Sequence, residues 1–139
     1  MSINSSVAAQ PTAAAGAIVA VGRVLLSLMF IYAGFGKLID IGGTAGWFGS
    51  IGLPLPTILA VLVGLLEFFG GLAILVGYKT RIAALAIAAF TIGATLIAHT
   101  NLADQVQQLF FLKNLSVTGG LLVLAGLGAG SLSVDARRG

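Results

Sequence analysis

Four stretches of this chain stay apolar for about the 20 residues a helix needs to cross a hydrocarbon core of roughly 30 Å. The first, residues 17–38, is broken only by Arg23 and a few small polar residues, and it ends at Lys37 and Asp40. The second, residues 54–76, opens on Leu53-Pro54-Leu55-Pro56-Thr57. Proline is tolerated in a first helical turn because the missing N–H has no partner there anyway. Glu67 is the only charge in this span. Gly77-Tyr78-Lys79-Thr80 is too short for anything but a tight turn, so the third span, residues 82–98, is an antiparallel neighbour of the second. The fourth, residues 109–132, carries Lys113 and Asn114 at an interfacial start. The pattern predicts an all-α fold, an integral membrane four-helix bundle over residues 17–132, with a disordered tail at 1–16 and a short basic tail at 133–139. The 1–16 segment has no Lys or Arg and so lacks a signal peptide's basic region, which predicts a retained first span.

Within each span the polar and small residues fall into stripes, because helix positions three and four apart share a face. Arg23, Ser27, Phe30, Gly34 and Lys37 line up on the first span, with Leu25, Leu28, Tyr32 and Ile39 opposite and facing lipid. On the second span the stripe is Ala60, Gly64, Glu67, Gly71 and Ile74, with Gly70 beside it. On the third it is Ala84, Ala88, Thr91, Thr95 and His99, and on the fourth Ser116, Gly119, Gly120 and Gly126. Small residues let one helix backbone approach another, so Gly34, Gly64, Gly70, Gly71, Gly119 and Gly120 are predicted helix-packing positions. In the two longer loops, Trp47, Phe48, Ile51 and Leu53, and then Leu102, Val106, Leu109 and Phe110, recur at helix-like spacing and predict interfacial segments.

Glu67 lies roughly 20 Å from one end of its span and 15 Å from the other by helix rise, close to the bilayer midplane. An unpaired carboxylate there is costly, so it requires a proton, hydrogen bonds or a cation. Arg23 is the partner the sequence suggests. The pair frames a polar pocket on one reading, and on the other it fixes helix registry, or Arg23 merely snorkels to the surface. Lys37 is an interfacial anchor or a cation for a head group or quinone carbonyl. His99 stands without a second ligand, so a metal site is not expected and an interfacial histidine is.

Composition narrows the function classes. The 139 residues are 58% hydrophobic and 8% charged, against roughly 25% charged in soluble domains. Seven Lys/Arg against four Asp/Glu are too few and scattered for a nucleic-acid surface. With no cysteine, the chain carries no disulfide, thiolate metal site or thiol redox chemistry. The basic excess instead orients the chain: Arg23, Lys79, Arg81, Arg137 and Arg138 fall on one side, Lys37 and Lys113 on the other, which predicts both termini in the cytoplasm.

The residues from Arg23 to Phe30 leading to Ala33-Gly34-Phe35-Gly36-Lys37, then Gly52-Leu53-Pro54-Leu55-Pro56, then Glu67-Phe68-Phe69-Gly70-Gly71 and Thr80-Arg81, resemble the DoxX family of small four-helix bacterial membrane proteins. The resemblance spans residues 22–130 and places the family's recurring features on Arg23, on Gly34 with Lys37, and on Glu67 with Gly70 and Gly71. It implies a multi-pass protein of the bacterial inner membrane, of a kind that includes membrane subunits of quinone-linked oxidoreductases. With no catalytic or cofactor-ligating constellation of its own, the chain is expected to be a non-catalytic subunit or anchor of a redox assembly. Its partners would be the lipid bilayer and an oxidoreductase subunit, with a quinone or lipid pocket at Arg23/Glu67 and no nucleic acid. The alternative is a solute or proton carrier that works as a homo-oligomer with Glu67 as the switching charge.

Overall fold

The computed structural model of the protein describes residues 12–138. Six helices follow one another: α1 (Ala13–Ile39), α2 (Ile41–Ser50), α3 (Pro56–Val76), α4 (Thr80–Ala98), α5 (Gln105–Leu127) and α6 (Val134–Arg138). No strand occurs among the described residues. Helices α1, α3, α4 and α5 are each long and apolar enough to cross a membrane. The tail expected at 1–16 lies outside the described residues up to residue 11; from there Thr12 caps α1, its hydroxyl accepting from Ala15 N–H at 3.0 Å.

Differences from the expected boundaries have local causes. The fourth helix starts at Gln105, where the Asp104 carboxylate accepts from Val106 N–H at 2.9 Å. It stops at Gly128, whose φ of +87° turns the chain out of the helix, as does Gly130 at +83°. The loop after α1 does form a short helix, α2. The apolar residues of the later loop instead divide between a turn and the first turns of α5.

α1 packs along α3 and α4 along α5, and α3 and α4 join the two pairs. Phe30, Ile74, Ile87, Leu121 and Leu124 form the main core. A second cluster of Ala45, Phe48 and Ala60 holds α2 against α3. The buried residues of α1 include Arg23, Ser27, Phe30 and Gly34, and those of α3 are Ala60, Gly64, Glu67, Gly71 and Ile74, as the stripes predict. Leu25, Leu28, Tyr32 and Ile39 point outward. A Cβ at Gly34 would come within 2.8 Å of Gly64 O, and one at Gly71 within 2.8 Å of the Ile31 side chain, so these two glycines set the α1–α3 distance.

The fourth-span stripe is a correction. Ser116, Gly119, Gly120 and Gly126 are exposed, and α5 instead buries Thr118, Leu121, Leu124 and Ala125. A Cβ at Gly119 meets nothing within 4 Å, and one at Gly120 makes only ordinary contact with Leu26 at 3.8 Å. Leucines surround α5 on every side, and in lipid a large apolar residue is equally at home inside or outside the bundle. Small residue size alone therefore did not mark the packed face.

Candidate functional site

Glu67 pairs with Lys37. The Lys37 Nζ lies 2.7 Å from Glu67 Oε1, with the glutamate side chain 6% exposed and the lysine 24%. The Arg23–Glu67 pair expected from depth does not form, because of antiparallel register. Gly34 opposes Gly64 and Phe68, and Gly71 opposes Ile31 and Ser27, so the turn of α1 facing Glu67 lies near residue 33. Arg23 sits ten residues earlier, roughly 15 Å along the helix, against the end of α3.

There Arg23, 3% exposed, does other work. Its Nη1 donates to Ile74 O at 3.2 Å and Leu75 O at 3.3 Å, and its Nη2 donates to Leu132 O. Both carbonyls of α3 lie in its last turn, where Ile74 O also accepts from Gly77 N–H at 3.2 Å and where the helix dipole favours a cation. Asp135 mirrors this at the adjoining N-terminus: its carboxylate accepts from Lys79 N–H at 2.7 Å and Thr80 N–H at 2.9 Å. Asp135 N–H donates to Gly77 O at 2.8 Å, completing a clamp that ties the chain after α5 to the α3–α4 turn. Burial works against the Asp135 carboxylate, but the hydrogen bonds from Thr80 and Lys79 outweigh it and hold its pKa below the ordinary value.

At the opposite end of the bundle the two helix pairs diverge around a cavity of about 470 Å³. Lys37 and Glu67 form part of one wall, and α2 and the connection after it contribute Trp47, Phe48, Ile51 and Leu53 to the lining. The other wall carries Thr91, His99, Lys113 and Asn114 among apolar side chains. His99 stacks on Phe110, with ring centroids 5.2 Å apart, and Lys113 sits 4.7 Å over the same ring. Burial, and then the Lys113 charge, push the His99 pKa down, so the imidazole is neutral near pH 7. Asn114 Nδ2 donates to Thr95 Oγ1 at 2.9 Å, and the Thr95 and Thr91 hydroxyls donate to carbonyls one turn back.

Three of the four charged or polar candidates, Lys37, Glu67 and His99, thus meet in one cavity, and Arg23 belongs to a separate structural clamp. Among the described residues no group of three or more His, Asp or Glu side chains is placed to hold a metal ion. The cavity has spare donors, since Lys37 has two further N–H bonds, Lys113 three and Asn114 one, beside the acceptor oxygens of Glu67 and Asn114. Such a cavity suits an apolar molecule whose head presents acceptor oxygens.

Asn114 and Lys113 entered the sequence reading only as interfacial residues. Their approach to Thr95 and His99 depends on how α4 and α5 pack, and no local spacing encodes it. Asp135 was missed altogether, since a capping carboxylate 55 residues from its helix start leaves no local signal.

Comparison with known proteins gives the kinship. The DoxX family profile matches residues 18–100. Inner membrane protein YqjF of Escherichia coli is 44% identical over 117 residues, covering 84% of this chain and 88% of the relative. Inner membrane protein YphA of the same organism is 32% identical over 130 residues, covering 90% and 93%. The putative oxidoreductase CatD of Bacillus subtilis is 36% identical over 72 residues, 52% of each chain. No solved structure matches the chain.

Proposed function

The chain belongs to the DoxX family of membrane proteins, and from that premise we propose that it is a non-catalytic membrane subunit of a redox assembly that holds a quinone-like lipid in the Lys37–Glu67 cavity. The observation that carries this reading is the cavity itself. Its volume falls in the range of about 300–1,000 Å³ usual for small-molecule sites, and its wall is mostly apolar with a few convergent polar groups. A quinone would bring a two-electron carrier to the site, with the electrons coming from a partner protein. The residues present fit such a head group: Lys37 and Asn114 donate to carbonyl oxygens, Glu67 keeps Lys37 in place, and the apolar wall receives the ring. The oxidoreductase name of one relative supports a redox partner, and the two inner-membrane relatives support a multi-pass protein of the bacterial inner membrane.

We also propose that both termini are cytoplasmic. Arg23 is buried in the clamp and drops out of the charge count. Lys79, Arg81, Arg137 and Arg138 remain on that side, against Lys37, held by Glu67, and Lys113, over Phe110.

The single tryptophan, Trp47, lines the cavity and makes the ligand reading testable. Protein in lipid nanodiscs titrated with a short-chain benzoquinone is expected to show saturable quenching of Trp47 fluorescence. The saturable part is expected to disappear in Lys37→Met. Quenching that rises linearly and equally in both proteins, as simple partition into lipid would give, overturns the proposal.

A further inference from the structure

Helix α2 is built from Ile41-Gly42-Gly43-Thr44-Ala45-Gly46-Trp47-Phe48-Gly49-Ser50, four glycines in ten residues. One has a structural reason. Gly43 N–H donates to Asp40 Oδ1 at 3.0 Å, and a Cβ there would lie 2.8 Å from Asp40 Cγ. The other three have none within this chain. A Cβ at Gly42 or Gly46 meets nothing within 4 Å, one at Gly49 meets only Pro56 Cγ at 3.9 Å, and none of the three has positive φ. Alanine would fit at all three. Glycine in a helix interior nonetheless disfavours the helix, by roughly two- to fivefold in the equilibrium constant for each residue relative to alanine. Gly46 lies in the interior of α2 and Gly42 and Gly49 in its end turns, so the three together lower the stability of α2 by a factor on the order of 10.

The instability lies where it bears on access to the cavity. α2 and the connection after it supply Trp47, Phe48, Ile51 and Leu53 to the cavity wall. The helix is joined to α1 through the single residue Asp40, at φ −140° and ψ 62°, and is followed by Gly52 at φ +85°. Its hold on the bundle is a small cluster in which Ile41, Ala45 and Phe48, with Leu53 of the following connection, pack with Leu59, Ala60 and Val63 of α3. A short helix between two breaks, attached along one face and weakened by glycines that packing does not require, has the construction of a gate.

We propose that α2 is the gate of the Lys37–Glu67 cavity, opening by local unwinding or lifting from α3 to admit an amphiphile from the membrane interface. The inference rests on the ligand reading for what passes through, and its test requires no ligand. The chain has no cysteine, so a single Ala94→Cys, on the cavity wall formed by α4, reports access through maleimide labelling in membranes. In that background Gly42→Ala/Gly46→Ala/Gly49→Ala is expected to slow labelling about tenfold and to slow amide exchange in residues 41–50. Ala45→Gly, the opposite change on the same helix, is expected to speed labelling two- to fivefold. Equal labelling rates in all three proteins overturn the gate, since the cavity is then reached without moving α2. Unchanged labelling with loss of a co-purifying chain in the triple variant also overturns it, showing that the glycines serve contact with another protein. A failure of quinone quenching with these rate changes intact would remove the ligand and leave the gate.

Discussion

Lys37 and Glu67 meet at 2.7 Å across the α1–α3 crossing, and the two partners are unequally buried: the lysine side chain is 24% exposed and the glutamate 6%. Removing either partner therefore has different consequences. Left alone, Lys37 can extend toward the interface, whereas Glu67 has nowhere to go. Lys37→Met is expected to destabilise by about 3 kcal/mol and Glu67→Gln by about 1 kcal/mol, with the double variant milder than their sum by at least about 1 kcal/mol. Denaturant titrations in mild detergent measure the cycle, and simple additivity would show that the two charges are not coupled.

Arg23 and Glu67 should behave as strangers. Arg23→Met strands the carbonyls of Leu75 and Leu132, removes a second donor from Ile74 O, and is expected to cost about 2–3 kcal/mol. Combined with Glu67→Gln, the effects should add within about 0.5 kcal/mol. Amide exchange should quicken in residues 128–138 in Arg23→Met and stay unchanged in Glu67→Gln. A coupling above about 1 kcal/mol between Arg23 and Glu67 would contradict the placement of Arg23.

Glycine substitutions separate the two helix faces. Gly34→Ala drives a methyl into the backbone of α3, where nothing flexible can yield, and is expected to destabilise by about 2–3 kcal/mol. Gly119→Ala fills open space and should be neutral or slightly stabilising. Gly64→Leu and Gly71→Leu should lower Tm more than Leu62→Ala, whose side chain is 55% exposed. Equal losses in Tm across this series would mean the α1–α3 contact is not the one described.

The Asp135 clamp makes a pH prediction. The folded state holds this carboxyl below its ordinary value of 3.8. A depressed carboxyl pKa adds stability that is present above the unfolded-state value and is lost as pH falls through the folded one. Wild type should therefore exceed Asp135→Asn in protection of residues 128–138 at pH 7. The gap should close as the pH drops below about 4, and a gap constant from pH 7 to pH 3 would be inconsistent with the clamp.

Orientation is open to direct labelling. With both termini cytoplasmic, a cysteine at the exposed Ala136 should resist an impermeant maleimide applied to intact cells, and one at Leu102 should react. The reverse pattern would invert the topology.

Periodicity by itself determined the four spans and the inward faces of α1, α3 and most of α4. A residue such as Glu67 or Gly71 can be buried on one side of a helix only, and its neighbours three and four away must share that side. The fourth helix lacked such a contrast, with leucines all round, so its inward face was decided only by contact with α4. Tertiary structure also chose the partner of Glu67. The sequence supplied a deep carboxylate and two basic residues on α1, but which of them lay opposite depended on the antiparallel register set by the close approach of Gly34 and Gly71 to neighbouring chain. That register carried Arg23 past Glu67 to the end of α3 and brought Lys37 alongside it. The cavity arose in the same way, from the divergence of two helix pairs beneath α2. Its residues come from five helices and the connections between them, and no spacing along one chain segment records where separate helices part.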